Sequence, residues 1–108
     1  MAQEFFIKRN DLSPTIRVSL KDALGAYVNL NEASVSFKMR PIRGGSIISN
    51  SAEIFETSTA TVQYIWQGSD TSVSGSYNAE FEVTYADGKI ESFPNSGFIR
   101  IEILEDIS

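Results

Sequence analysis

From residue 77 to residue 85 the chain alternates without a break. Tyr77, Ala79, Phe81, Val83 and Tyr85 are interleaved with Asn78, Glu80, Glu82 and Thr84. Side chains of a strand point to opposite faces in turn, so this period of two sends the first set into a core and the second into water. Asp87-Gly88 follows, and both residue types tolerate positive φ, which predicts a two-residue type I′ turn and a β-hairpin. Carried across such a turn, Ile90 faces Tyr85, Ser92 faces Val83 and Pro94 falls near Phe81, so even-numbered residues point inward. By Ile99, Ile101 and Ile103 the inward residues are odd. A slip of one residue inverts every side chain, and a bulge or change of sheet is therefore expected within Pro94-Asn-Ser-Gly97.

The rest of the chain yields shorter segments of the same kind. Residues 4–8 carry Phe5 and Ile7 on one side and Phe6 on the other, as in a strand covered on both faces. Asn10-Asp-Leu-Ser-Pro14 breaks it, because proline cannot donate to a ladder. Residues 15–20 direct Ile16, Val18 and Leu20 inward, Asp22-Ala-Leu-Gly25 turns the chain into residues 27–30, and Asn31-Glu-Ala33 makes a short turn. Residues 34–40 place Val35, Phe37 and Met39 in the core, and Pro41 ends that strand. Arg43-Gly-Gly-Ser46 reads as a loop, Ile47-Ile48 as a brief strand, Ser49-Asn-Ser51 as a turn and residues 53–56 as a further short strand. Residues 61–67 put Val62, Tyr64 and Trp66 on one face, and a Ser- and Gly-rich stretch leads back to Gly75.

Nothing here reads as a long helix. About seven to nine short strands, with turns every 8–12 residues or so, predict an all-β antiparallel sandwich or small barrel. Tyr77 narrows the choice. Immunoglobulin-type sandwiches carry a corner tyrosine two residues before an inter-sheet cysteine, and here Ala79 stands where that cysteine would be. An immunoglobulin-like β-sandwich is the expected class, with Gly75, Tyr77, Asp87 and Gly88 as the fold-specifying residues. The Tyr77 ring should be buried and its hydroxyl bonded to backbone in the loop after Gly68.

Composition fits one domain spanning residues 1–108: 42% of the residues are hydrophobic and 21% charged, long enough a chain for one core and too short for two. No apolar run approaches the length of a membrane span, and the early charges Glu4, Lys8 and Arg9 do not suit a secretory signal. The expectation is a soluble protein made in a cytoplasm, with no membrane partner. Without cysteine there are no disulfides, thiol nucleophiles or zinc–thiolate sites, and without histidine the commonest general base and metal ligand are missing. A net charge of −5 with nine basic residues argues against a nucleic-acid surface. Yet seven of those nine lie at or before Arg43, while ten of the fourteen acids lie after it. Such asymmetry suits either head-to-tail contact between copies or ion pairs across neighbouring strands.

Few constellations could carry chemistry. Glu80 and Glu82 share a solvent face at a spacing a glycosidase-type pair would allow, but Lys38 and Arg40 have the same outward parity and make a cross-strand ladder instead. Gly44-Gly45 lacks the Lys-Ser/Thr of a phosphate loop, and Asp87-Gly88 offers one carboxylate where a calcium loop needs several oxygens. Tyr64 and Trp66 suit either a sugar-stacking face or a core. No catalytic residue, cofactor or metal site is expected, and the chain does not read as an enzyme. Partner-binding residues are sought among apolar side chains near strand edges: Phe93 and Phe98, which the inferred parity break turns outward, together with Phe5, Phe6, Ile47 and Ile48.

Several stretches in order, Phe6-Ile-Lys-Arg-Asn-Asp-Leu-Ser-Pro-Thr-Ile-Arg-Val-Ser-Leu20, Val35-Ser-Phe-Lys-Met-Arg-Pro41, Val62-Gln-Tyr-Ile-Trp-Gln67, Asp70-Thr, Gly75-Ser-Tyr-Asn-Ala-Glu-Phe-Glu-Val-Thr-Tyr-Ala-Asp-Gly88 and Ser92-Phe-Pro-Asn-Ser-Gly97, resemble the N-terminal domain of the tailed-phage baseplate upper protein family. The resemblance implies an immunoglobulin-like structural domain of a virion, assembled in the bacterial host cytoplasm and contacting other phage structural proteins and copies of itself. Family members often continue into a linker and a receptor-binding or oligomerising region, whereas the present sequence runs to Ser108, just after the expected sandwich. A baseplate, tail or neck adaptor, or a capsid decoration, is therefore expected. A small carbohydrate-binding or host-adhesion module acting on a host glycan through Tyr64 and Trp66 is the alternative.

Overall fold

A computed structural model describes residues 4–107. Its eight strands are β1 (Glu4–Lys8), β2 (Ile16–Ser19), β3 (Ser34–Pro41), β4 (Ile48–Glu56), β5 (Thr61–Tyr64), β6 (Gly75–Thr84), β7 (Ile90–Phe93) and β8 (Ile99–Leu104), and the described residues contain no helix. Hydrogen-bonded neighbours follow the order β1-β8-β6-β3-β4-β5-β2, with β7 also on β6. The sheet curls into a nearly closed, barrel-like sandwich. At its open seam Phe5 of β1 and Ile99 of β8 approach Ile16 and Val18 of β2.

The layers follow from how β4 is used. Its residues from Ile48 to Ala52 pair with β3, and from Glu53 onward it pairs with β5, so one strand passes from one layer to the other. The register shifts between Ile54 and Glu56, leaving Phe55 as the extra residue of a bulge. Ser49-Asn50-Ser51, a turn by composition, lies inside this nine-residue strand. Pairing with β3 supplies the backbone partners that a turn would otherwise have provided, and Ser49 and Ser51 face solvent.

Alternation is realised as expected in β3, β5 and β6. Val35, Phe37, Met39, Val62, Tyr64, Tyr77, Ala79, Phe81 and Val83 are all buried. Phe37 is the hub: its ring stacks on Tyr64 at 4.4 Å, meets Phe81 at 5.2 Å and takes Trp66 edge-on at 5.7 Å. The Trp66 indole N–H donates to the Pro14 carbonyl at 3.0 Å. Regular pairing of β5 ends at Tyr64, three residues before the expected boundary, although Trp66 keeps the inward direction.

Three expectations are corrected. The sheet is mixed, since β1 runs parallel to β8. Phe6 is 55% exposed, so β1 is covered on one face only. The third correction concerns the hairpin. Gly88 N–H donates to the Tyr85 carbonyl and Tyr85 N–H to the Lys89 carbonyl, both at 2.8 Å, which makes a three-residue loop of residues 86–88. Only Gly88 has positive φ, at 87°, while the Asp87 carboxylate accepts the Lys89 N–H. This is a tight turn closed by a left-handed glycine, and it adds one residue to the loop. The partner of Phe81 is consequently Phe93, and Phe93 is buried.

No parity break exists. Between the pairs Phe81–Phe93 and Ala79–Ile99, β6 advances two residues while the other arm advances six. The excess of four is even, so the excursion of residues 94–98 leaves Phe93, Ile99, Ile101 and Ile103 on one face.

Candidate interaction surface

The loop after Gly68 is built on a partly buried polar cluster. The Tyr64 hydroxyl donates to the Asp70 carboxylate and accepts from the Asn50 side-chain amide at 2.8 Å. Asp70 also accepts the Gln67 N–H at 2.9 Å, and Thr71, itself buried, donates its hydroxyl to the Asp11 carbonyl. Burial, then the bond to Asp70, push the Tyr64 phenol far above its ordinary value. Tyr77 closes the same loop, its hydroxyl donating to the Val73 carbonyl at 2.7 Å as expected, and burial raises its phenol as well. With Tyr64 and Trp66 both in the core, neither ring face is open to a sugar.

The outer face of β8, β6 and β3 is arranged in cross-strand rows. Asn78 stands between Arg100 on one side and Arg40 on the other. In the next row Lys38 faces Glu80 but reaches diagonally to Glu82 at 3.1 Å. The expected ladder is thus half formed, since Arg40 lies opposite Asn78 rather than an acid. Arg100 makes a 3.5 Å contact with Glu102, whose other oxygen accepts the Ser76 hydroxyl, and its buried Nε has no partner.

Two loops overhang these rows. The excursion of residues 94–98 is held by Glu91, which accepts from the Tyr85 hydroxyl at 2.7 Å and the Asn95 amide at 3.0 Å; Asn95 also donates to the Ser92 carbonyl. Burial, then this bond to Glu91, drive the Tyr85 phenol upward. So anchored, the loop projects Phe98 outward, 47% exposed. On the other side Ile42 N–H donates to the Ser76 carbonyl, and a turn from Pro41 to Gly44 brings the chain back toward Ile47. Ile42, Ile47 and Phe98 line one shallow depression of about 280 Å³, with Arg40, Asn78 and Glu80 at its polar floor and wall.

Of the six residues sought for partner contact, three remain candidates. Ile47 and Phe98 share the depression, and Phe6 lies apart on the outer face of β1. The other three are corrected: Phe93 is core, Phe5 packs against Trp66 at 6.0 Å between ring centres, and Ile48 packs partly buried against the core. Gly75 enters β6 at φ 141°, a conformation that favours glycine. Ile42 was missed. Its signal was present as a lone aliphatic between two arginines, just after the proline that ends β3, where no strand parity can bury it.

The chain matches no protein-family model, and no curated protein is significantly similar to it.

Proposed function

We propose that this chain is a non-enzymatic structural component of a tailed-phage virion, an immunoglobulin-like domain that works through repeated protein–protein contacts. The observation that carries the reading is the depression of Ile42, Ile47 and Phe98, two anchored loops holding apolar side chains in water on an otherwise polar sheet face. Apolar residues displayed together on pinned loops are what a contact surface requires. The immunoglobulin-like assignment is supported by the Tyr77 corner with Ala79 at the cysteine position, and by β4 dividing its length between two layers. The order of sequence segments resembling the baseplate upper protein family supports the virion role and a place at the baseplate, tail or neck.

Mass-spectrometric inventory of particles purified from the producing host tests the reading. The chain should be recovered at a fixed ratio to the known particle proteins. Paired Ile47→Ser and Phe98→Ser changes should lower its incorporation while the purified domain melts as before. Absence of the chain from intact particles overturns the proposal.

A further inference from the structure

Asp87-Gly88 is the one place in the sequence where an aspartate or asparagine precedes a glycine. The pair lies at the tip of the β6–β7 hairpin, where residues 86–90 are exposed and the Asp87 side chain is 61% open to water. A glycine has no Cβ to shield its nitrogen, so a preceding side-chain carboxyl can approach it. The loop brings the two groups together. To accept the Lys89 N–H at 3.0 Å, the Asp87 carboxylate must curl forward along the chain, which turns its Cγ toward the Gly88 nitrogen. The same loop also restrains them, since the Gly88 N–H is donated to the Tyr85 carbonyl at 2.8 Å and the carboxylate is held by Lys89.

Independently of the proposed role in a particle, we propose that Asp87-Gly88 is a modification site that isomerises to isoaspartate when the hairpin tip opens and is protected while the tip is closed. The Gly88 nitrogen attacks Cγ of the protonated Asp87 carboxyl, a C–N bond forms, the nitrogen loses its proton and the carboxyl hydroxyl leaves as water. The product is a five-membered succinimide. Water then adds to one of its two carbonyls. Addition at Cγ breaks the new bond and restores aspartate, whereas addition at the main-chain carbonyl breaks the original peptide bond and leaves the chain running through Cβ and Cγ. One water leaves and one returns, so no other reagent is needed. Both restraining hydrogen bonds must break first, because the nitrogen cannot attack while its proton is held by Tyr85.

The position of the site gives the modification a structural consequence. Isomerisation adds one carbon to the main chain inside the loop whose length sets Phe93 opposite Phe81. The bonds from Gly88 to Tyr85 and from Tyr85 to Lys89 are spanned by three residues of ordinary backbone, and a longer path cannot satisfy both in place. The carboxylate moves from the side chain to Cα, so its contact with the Lys89 N–H is lost as well. Pairing of β7 with β6, and with it the burial of Phe93, is weakened.

The test is to incubate the purified chain in mildly acidic buffer, folded and in guanidinium chloride, and to locate isoaspartate by peptide mapping with electron-transfer fragmentation. In the unfolded chain residue 87 should isomerise before any other aspartate or asparagine, Asn50 and Asn95 included, with a transient loss of one water from the same peptide. In the folded chain the reaction should be slower by roughly tenfold or more, because the closed tip must open first. Asp87→Glu, which would have to close a larger ring, should abolish the signal in this peptide. The isomerised chain, separated by chromatography and returned to native buffer, should unfold at a lower urea concentration than the unmodified chain, read by tryptophan fluorescence. First reaction at another residue, or a signal that survives Asp87→Glu, overturns the site. Equal rates in the folded and unfolded chains overturn the protection by the loop, and an unchanged unfolding midpoint overturns its link to the hairpin.

Discussion

Tyr64→Phe removes one oxygen from a ring that is otherwise unchanged in place. The ring is fully buried and stacked on Phe37, so no cavity opens and no apolar area is lost. The loss is confined to two hydrogen bonds, one donated to the Asp70 carboxylate and one accepted from the Asn50 amide. A bond to a charged group contributes about 1.5–3 kcal/mol and a neutral one about 0.5–1.5, with part of each depending on whether the abandoned partner can reach water. Asp70 keeps the Gln67 N–H, which limits the damage on that side. The expected destabilisation is about 2–4 kcal/mol, a large share of the roughly 5–15 kcal/mol that holds a domain together. Urea unfolding followed by tryptophan fluorescence suits the purpose, since the only indole lies against the same rings. With a slope of about 1–3 kcal/mol per molar urea, the midpoint should fall by on the order of 1–2 M. In a cycle with Asp70→Ala the two changes should be less than additive by at least about 1 kcal/mol, because both delete the same bond. A shift below about 0.5 kcal/mol, or simple additivity, refutes the claim that this cluster secures the loop.

Phe93→Ser should destabilise the fold by about 3–5 kcal/mol as a large-to-small core change, whereas Phe98→Ser should leave the unfolding midpoint within about 0.5 kcal/mol of the wild type; equal effects in chemical denaturation would contradict their opposite burial. Tyr77→Phe loses the bond to the Val73 carbonyl and should cost about 0.5–1.5 kcal/mol, toward the lower end because Val73 is 65% exposed and its carbonyl can be rehydrated, as a thermal melt would register. The phenols of Tyr64, Tyr77 and Tyr85 are all held above the ordinary value of 10.0, so the unfolded chain ionises first as pH rises; the stabilisation is complete below about pH 10 and is lost above it. Unfolding midpoints measured from pH 8 to 12 should therefore be level and then fall, and a level profile to pH 12 would rule out the burial of these hydroxyls. Lys38→Ala removes a partly exposed pair with Glu82 and should cost only about 0–1 kcal/mol, less at high salt, in the same denaturation assay.

The alternation in residues 34–40, 61–67 and 77–85 determined by itself which side chains form the core, because a strand with one wet face has only one way to bury Phe37, Tyr64 and Phe81. The Tyr77 corner was legible for a similar reason: a phenol in a core strand must find a partner, and the nearest backbone is the loop just before it. Register across the hairpin was not legible. Asp87-Gly88 satisfies both a two-residue turn and a three-residue loop closed by the glycine, and that single residue decides whether Phe93 lies in the core or in water. Local composition also failed at Ser49-Asn50-Ser51, where pairing with β3 outweighs turn preference. The candidate surface was half visible, in Ile47 and Phe98. Only the tertiary structure placed Ile42 beside them and set Arg40 and Arg100 on either side of Asn78, because these positions are far apart in the chain and meet through the order of the strands, which no periodicity encodes.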